Sequence, residues 1–160
     1  MNYKHPKRKT KVVFVQLGSP SKPTTKALRK YLRKFLGDPR VVDINPWLWK
    51  IILNLFVLPF RPKKSAKLYA RIWDGESFPL ITNTRDFTKN VREELKKIDL
   101  KGHVEVNHAF LLSPPYVNEV YDEWEEDLKK GIGATKLLVI PMFPQYSEST
   151  IASGIDALAK

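Results

Sequence analysis

Gln145, Tyr146, Ser147, Ser149 and Thr150 gather hydrogen-bonding side chains directly after an apolar run broken by Pro141 and Pro144. Such side chains can donate to a polar ligand group. No neighbouring base stands ready to activate an oxygen, so the pattern points to binding and not to nucleophilic attack. The histidines add nothing catalytic. His5 lies in the basic start, His103 precedes a strand-like run and His108 sits within it, and none has a second ligand at metal spacing. His108 reads as a satisfied strand residue. Without cysteine, thiolate metal sites and disulfides are excluded. From residue types alone, no catalytic constellation and no metal site assemble.

The elements that must carry these side chains follow from periodicity. Lys136 to Ile140 is a continuous apolar run, which predicts a strand buried on both faces, and helical spacing resumes through Ile155 and Leu158. Open α/β sheets build ligand sites beyond the carboxyl ends of such strands. An ordinary strand-to-helix turn would look the same. Lys11 to Leu17 predicts a first strand ending at Gly18-Ser19-Pro20, and Val104 to Leu112 a second. One glycine at the first turn leaves both the GxGxxG fingerprint and the P-loop missing.

Thr24 or Thr25 can cap a helix with Ala27, Leu28, Tyr31, Leu32 and Phe35 on one face and Lys26, Arg29, Lys30, Arg33 and Lys34 on the other. Asn45 to Phe60 is the most apolar stretch. Pro46 predicts a helix start there and Pro59 its end, about a dozen residues and too short to span a bilayer. A helix apolar nearly all round is either core or faces lipid or a hydrophobic ligand. Trp47 and Trp49, with Arg61-Pro62-Lys63-Lys64 following, suit an interfacial role. Further helices are predicted over Ser65 to Trp73 with Leu68, Tyr69 and Ile72 inward, from about Thr84 with a Phe87, Val91, Leu95 and Ile98 stripe, and from Ser113-Pro114-Pro115. The alternation predicts an α/β fold: a three-layer, Rossmann-like parallel sheet of about four strands with helices on both faces.

The chain's 160 residues, 42% apolar, suffice for one domain with a core. A basic tail is expected over residues 1–10 and the domain over 11–160. The start has no apolar core of a secretory signal, so a cytoplasmic protein is expected. The net charge of +11 is uneven, with residues 1–73 at +16 and the remainder at −5. A basic half suits an anionic partner, or equally a solubilising face. Nucleic acid is not expected, because the aromatics sit in an apolar helix and not on a strand platform.

Four motifs in order, QLGSP (Gln16 to Pro20), GDPRVV (Gly37 to Val42), LPFRPKKSAKLYARIW (Leu58 to Trp73) and PMFPQYSEST (Pro141 to Thr150), resemble the ferrochelatases. The resemblance runs from Lys11 onward. It implies a Rossmann-like half of a two-half chelatase fold, with ferrous iron and a porphyrin (protoporphyrin IX) as substrates and no permanently bound cofactor. The family's histidine and partner glutamate belong to its second half, so an N-terminal half without catalytic or metal-binding residues of its own is expected, cut out or encoded by a shortened gene. The resemblance implies porphyrin contacts at Leu17, Ser19, Arg61, Leu111, Leu112, Gln145, Tyr146, Ser147, Ser149 and Thr150. Arg61 would meet the propionates. Trp47, Trp49, Leu53 and Phe56 would face outward from a lip helix over about 46–58, in peripheral contact with a membrane.

Two stretches depart from the family pattern. Leu111 and Leu112 stand where relatives often carry Arg and Tyr, and Phe78 stands for a serine of the usual GSPL loop. Three readings follow: a ferrochelatase half, a porphyrin-binding homologue without catalysis, or a basic membrane-binding domain.

Overall fold

The computed structural model describes residues 9–100 and 102–159. Most of the expected basic tail, His5 included, lies outside the described residues. In chain order the elements are β1 (Lys9–Gln16), α1 (Thr25–Leu36), α2 (Pro46–Ile52), α3 (Leu58–Tyr69) and α4 (Pro79–Lys96). Then follow β2 (His103–Phe110), α5 (Val117–Lys129), β3 (Lys136–Pro141) and α6 (Ser153–Leu158).

All strand pairings are parallel, in the order β2-β1-β3, so β1 is central. Side chains alternate across the sheet. Val13 and Val15 with Ala109, Leu137 and Val139 face α5 and α6, whereas Phe14 faces α4, its ring 5.0 Å from that of Phe87. Helices therefore cover both faces, as the alternation predicts. The strand number differs: three are present among the described residues, not about four. Each β-branched apolar run is used once, and the intervening segments carry helical spacing, so no fourth run remains.

β3 is not buried on both faces. It is an edge strand, and although Leu137 and Val139 pack beneath α5 and α6, Leu138 on the other face is 42% exposed. Lys11 on the central strand is buried instead, its Nζ 3.6 Å from Glu123 of α5.

The apolar segment after Pro46 does not stop at Pro59. It runs on as α2, a π-helical segment Leu53–Val57 and α3, with Pro59 near the start of the last. Pro59 has no N–H for a helical bond, and the ladder adjusts by a wider turn, the Leu58 N–H donating to the Leu53 carbonyl. Pro62, inside α3, likewise cannot donate to the Leu58 carbonyl. Arg29 Nε of α1 donates there instead, at 3.2 Å. Two prolines are thus absorbed by one π segment and one guanidinium.

This segment is apolar on two sides for two reasons. Trp49, Leu53, Val57 and Leu58 pack with Tyr31, Leu32 and Leu36 of α1 in a second core. The Trp49 indole N–H donates to the Leu36 carbonyl at 2.6 Å, satisfying the end of α1. Trp47, Phe56 and Phe60 turn to solvent, at 79%, 64% and 73% exposed. Of the four residues expected on the outer face, Trp47 and Phe56 point outward, whereas Trp49 and Leu53 are core.

Other boundaries shift for local reasons. α4 begins at Pro79, which suits a first helical turn. Its buried face is Ile81, Thr84 and Thr88, with Phe87 and Ile98 exposed. The threonine hydroxyls can be buried because each donates to the carbonyl four residues earlier, at 2.7 Å. Leu68 and Ile72, expected inward, are exposed. Ser113 to Tyr116 stay outside α5, whose start is held by Glu119 accepting the Tyr116 N–H at 3.2 Å.

Candidate functional site

Parallel strands point their carboxyl ends the same way, which gathers three loops at one edge of the sheet. The loops after β1 and β2 are zipped together. Leu111 N–H donates to the Gln16 carbonyl and Leu112 N–H to that of Leu17, both at 3.0 Å. Beyond them Ser19 N–H donates to Ser113 Oγ at 3.3 Å. The approach requires Gly18, which has φ +91°, and a Cβ there would lie 2.3 Å from Ser113 Oγ.

Above this floor a cleft of about 390 Å³ opens between the two loops, α1 and the start of α4. Its buried lining combines Tyr31, Phe78 and Ile81 with the polar Ser19 and Ser113, joined by half-buried Leu112. Its exposed rim carries Lys30, Lys34 and Arg85, with Glu76 the acidic member. Lys34 Nζ lies 3.6 Å over the Tyr116 ring. Partial burial lowers the Lys34 pKa, Glu119 opposing the shift and Lys30 adding to it. The Tyr31 hydroxyl, 3.4 Å from the Gly18 carbonyl it donates to, has its pKa pushed up by burial and by Tyr69, so it stays a neutral donor. Tyr69, Trp73 and Phe78 meet edge to face, rings 5.5 and 4.7 Å apart. Phe78, the departure from the family serine, is thus the buried centre of an aromatic cluster.

The loop after β3 stands apart from this cleft. Met142 N–H donates to the Val15 carbonyl at 2.8 Å, and the Gln16 amide donates to the Met142 carbonyl at 3.1 Å, so the loop leaves the sheet from a fixed point. Ser147 caps the following π turn, its carbonyl accepting from Ile151 N–H at 2.9 Å. Ser147 Oγ and Ser149 Oγ lie 3.0 Å apart, and Thr150 Oγ1 donates back to the Ser147 carbonyl at 3.3 Å. Gln145 and Tyr146 are exposed. Arg40, from the loop after α1, clasps Asp156 of α6 through Nε and Nη2 at 2.8 and 3.2 Å, bracing this loop from outside.

Of the sequence-nominated residues, Ser19 and Leu112 line the cleft. Leu17, half-buried just after β1, does not line the cleft, and Leu111 turns into the core under α5 and α6. Arg61 is exposed on α3, and neither it nor Gln145 to Thr150 lines the cleft. Lys34 and Arg85 were not nominated. Lys34, expected on the basic face of α1, stands at i+7 from Ala27 and i+3 from Tyr31, so its spacing already carried it to the border of the apolar face. Arg85 carried none, because the start of α4 was read five residues late. His108 is not satisfied: its buried Nδ1 has no partner, and burial followed by Arg85 and Arg92 holds its pKa low. Among the described residues no group of three His, Asp or Glu could hold a metal ion, and no helix is long and apolar enough to cross a membrane.

A parallel α/β layer with a half-apolar cleft at its carboxyl edge belongs with small-molecule-binding α/β proteins. The family is more particular: the ferrochelatase family model matches residues 9–160, and the chain belongs to that family. A ferrochelatase of Idiomarina loihiensis is 43% identical over 149 residues, covering 93% of this chain and 39% of the relative. One of Marinobacter nauticus is 41% identical over 161 residues, covering 99% and 42%. A coproporphyrin III ferrochelatase of Streptococcus mutans is 39% identical over 153 residues, covering 96% and 46%. The chain therefore spans less than half the length of each of these relatives.

Proposed function

We propose that these residues are the N-terminal part of a ferrochelatase whose complete protein inserts ferrous iron into protoporphyrin IX to make haem. Family membership over residues 9–160, with the cleft at the carboxyl edge of the sheet, carries this reading. In it the macrocycle lies along the apolar floor beside Leu17, Ser19 and Leu112, with Gln145 to Thr150 forming a second wall and Arg61 reaching the propionates. Iron and porphyrin are substrates, and no resident cofactor is involved. The acid–base groups that remove the pyrrole protons come from a C-terminal part, the partner this chain requires.

The expected result is a Soret shift on titrating the chain with protoporphyrin IX, weakened in Arg61→Ala, and no measurable metallation by the chain alone. Turnover would refute the division of labour, and a silent Soret band would refute porphyrin binding. A second reading, a porphyrin binder without catalysis, is favoured by Leu111, whose apolar side chain is spent on the core. The two separate when a full-length protein with these leucines is assayed for turnover. The outward apolar band of α2 and α3, flanked by Arg61, Lys63 and Lys64, supports peripheral membrane contact of a cytoplasmic protein.

A further inference from the structure

The sheet has two edges, and only one of them is guarded. Leu111 N–H donates to the Gln16 carbonyl, so odd-numbered residues of β2 turn their backbone groups to β1 and even-numbered ones turn outward. On that outer edge Phe110 N–H donates to the Pro115 carbonyl at 2.8 Å, and the Val106 carbonyl accepts from Arg92 Nε of α4 at 2.5 Å. Arg92 Nη2 also donates to Asn107 Oδ1 at 2.8 Å, which fixes the guanidinium over the strand. Among the described residues β3 has no such guard. Met142 N–H donates to the Val15 carbonyl, which leaves the N–H and carbonyl groups of Leu137 and Val139 pointing away from the sheet without a partner. Four of the six residues of β3 are Leu, Val or Ile, yet none is fully buried, and Leu138 is 42% exposed. An open apolar edge of this kind is a template for another strand.

We propose that β3 is a self-association edge, at which two copies of this chain pair their β3 strands antiparallel about a two-fold axis at Leu138 and join their sheets into one. The register follows from which backbone groups are free. Leu137 of one copy lies opposite Val139 of the other, and each such pair exchanges two hydrogen bonds. Leu138 meets its own counterpart in a non-hydrogen-bonded pair, where side chains come closest, so each leucine covers part of the other's exposed surface. Lys136, the single charged residue of β3, lies opposite Ile140 and faces no like charge. One patch serves both copies, as a two-fold contact requires. A single strand pair buries little area, so the dimer is weak and depends on concentration.

The test is sedimentation equilibrium over a wide concentration range for wild type, Leu138→Lys, Leu138→Glu and an equal mixture of the two variants. Leu138 is exposed enough for either charge to be carried by the folded monomer, which circular dichroism checks. Wild type should rise from monomer toward dimer mass as concentration increases. Each variant alone puts like charges face to face across the axis and should associate several-fold more weakly. The mixture sets Lys opposite Glu and should recover the dimer. A wild type that stays monomeric throughout, or variants that dimerise as well as wild type, would overturn the proposal. So would a mixture no more associated than its two components, because the pairing about Leu138 requires the rescue.

Discussion

Gly18 and His108 show how single residues in this fold are constrained from opposite directions. At Gly18 both the positive φ and the 2.3 Å approach to Ser113 Oγ exclude a side chain. Gly18→Ala therefore meets backbone strain and a clash together, and a loss of about 2–4 kcal/mol is expected in urea unfolding, with a smaller loss at Gly75, where φ +106° brings the strain but a Cβ would meet nothing. At His108 the cost is electrostatic. Burial and two nearby guanidiniums depress its pKa below the ordinary 6.5, so the unfolded chain takes up the proton first as pH falls. The neutral imidazole's contribution is complete above pH 6.5 and is lost below it. Wild type should lose more stability than His108→Leu between pH 7.5 and pH 5.5, read as the shift in urea midpoint, and parallel curves would dismiss the effect.

At the level of elements, the helical run from Pro46 to Tyr69 shows what was legible and what was not. Its existence, its proline start and its apolar character were readable from composition and spacing, as were α1, α5 and the three strands. Its continuation past Pro59 was not, because a proline ends a helix by default and nothing local announces a π turn or a guanidinium lent by another helix. Nor was its division into a core face with Trp49 and Leu53 and an outer face with Trp47 and Phe56, because both faces are apolar and only tertiary packing separates them. β3 erred the same way: a continuous apolar run cannot say which of its faces a neighbour covers. The polar loop leaving the carboxyl end of β3 was readable from sequence, whereas the cleft needed α1 and α4 in place. The Arg29 bond yields an expectation at this scale. Pro62→Ala restores the helical donor to the Leu58 carbonyl, so Arg29→Met should cost about 0.5–1 kcal/mol less in that background than in wild type. A double-mutant cycle in urea measures the difference, and strict additivity would mean the guanidinium merely rests there.

For the whole molecule, charge and apolar exposure coincide on the N-terminal half. The basic face of α1 and the outward residues of α2 and α3 belong to helices packed on one another. Anionic headgroups and an acyl boundary would engage both at once. Trp47, the more exposed of the paired indoles, should blue-shift in fluorescence with phosphatidylglycerol vesicles, and Trp47→Ser should remove most of the change. Trp49 is tied to Leu36 and should stay silent. An unchanged spectrum with vesicles would leave the outward band without a lipid role.

The zipped loops after β1 and β2 have a mechanical meaning. With two backbone hydrogen bonds, a third to the Ser113 hydroxyl and a glycine that admits no gap, they form a rigid jaw, and neither can swing without taking the sheet along. Any opening of the cleft must come from the opposite jaw, where α1 meets α2 and α3 across side chains, an indole and a single guanidinium. In this fold the hinge lies among the helices, and the strands are the anvil.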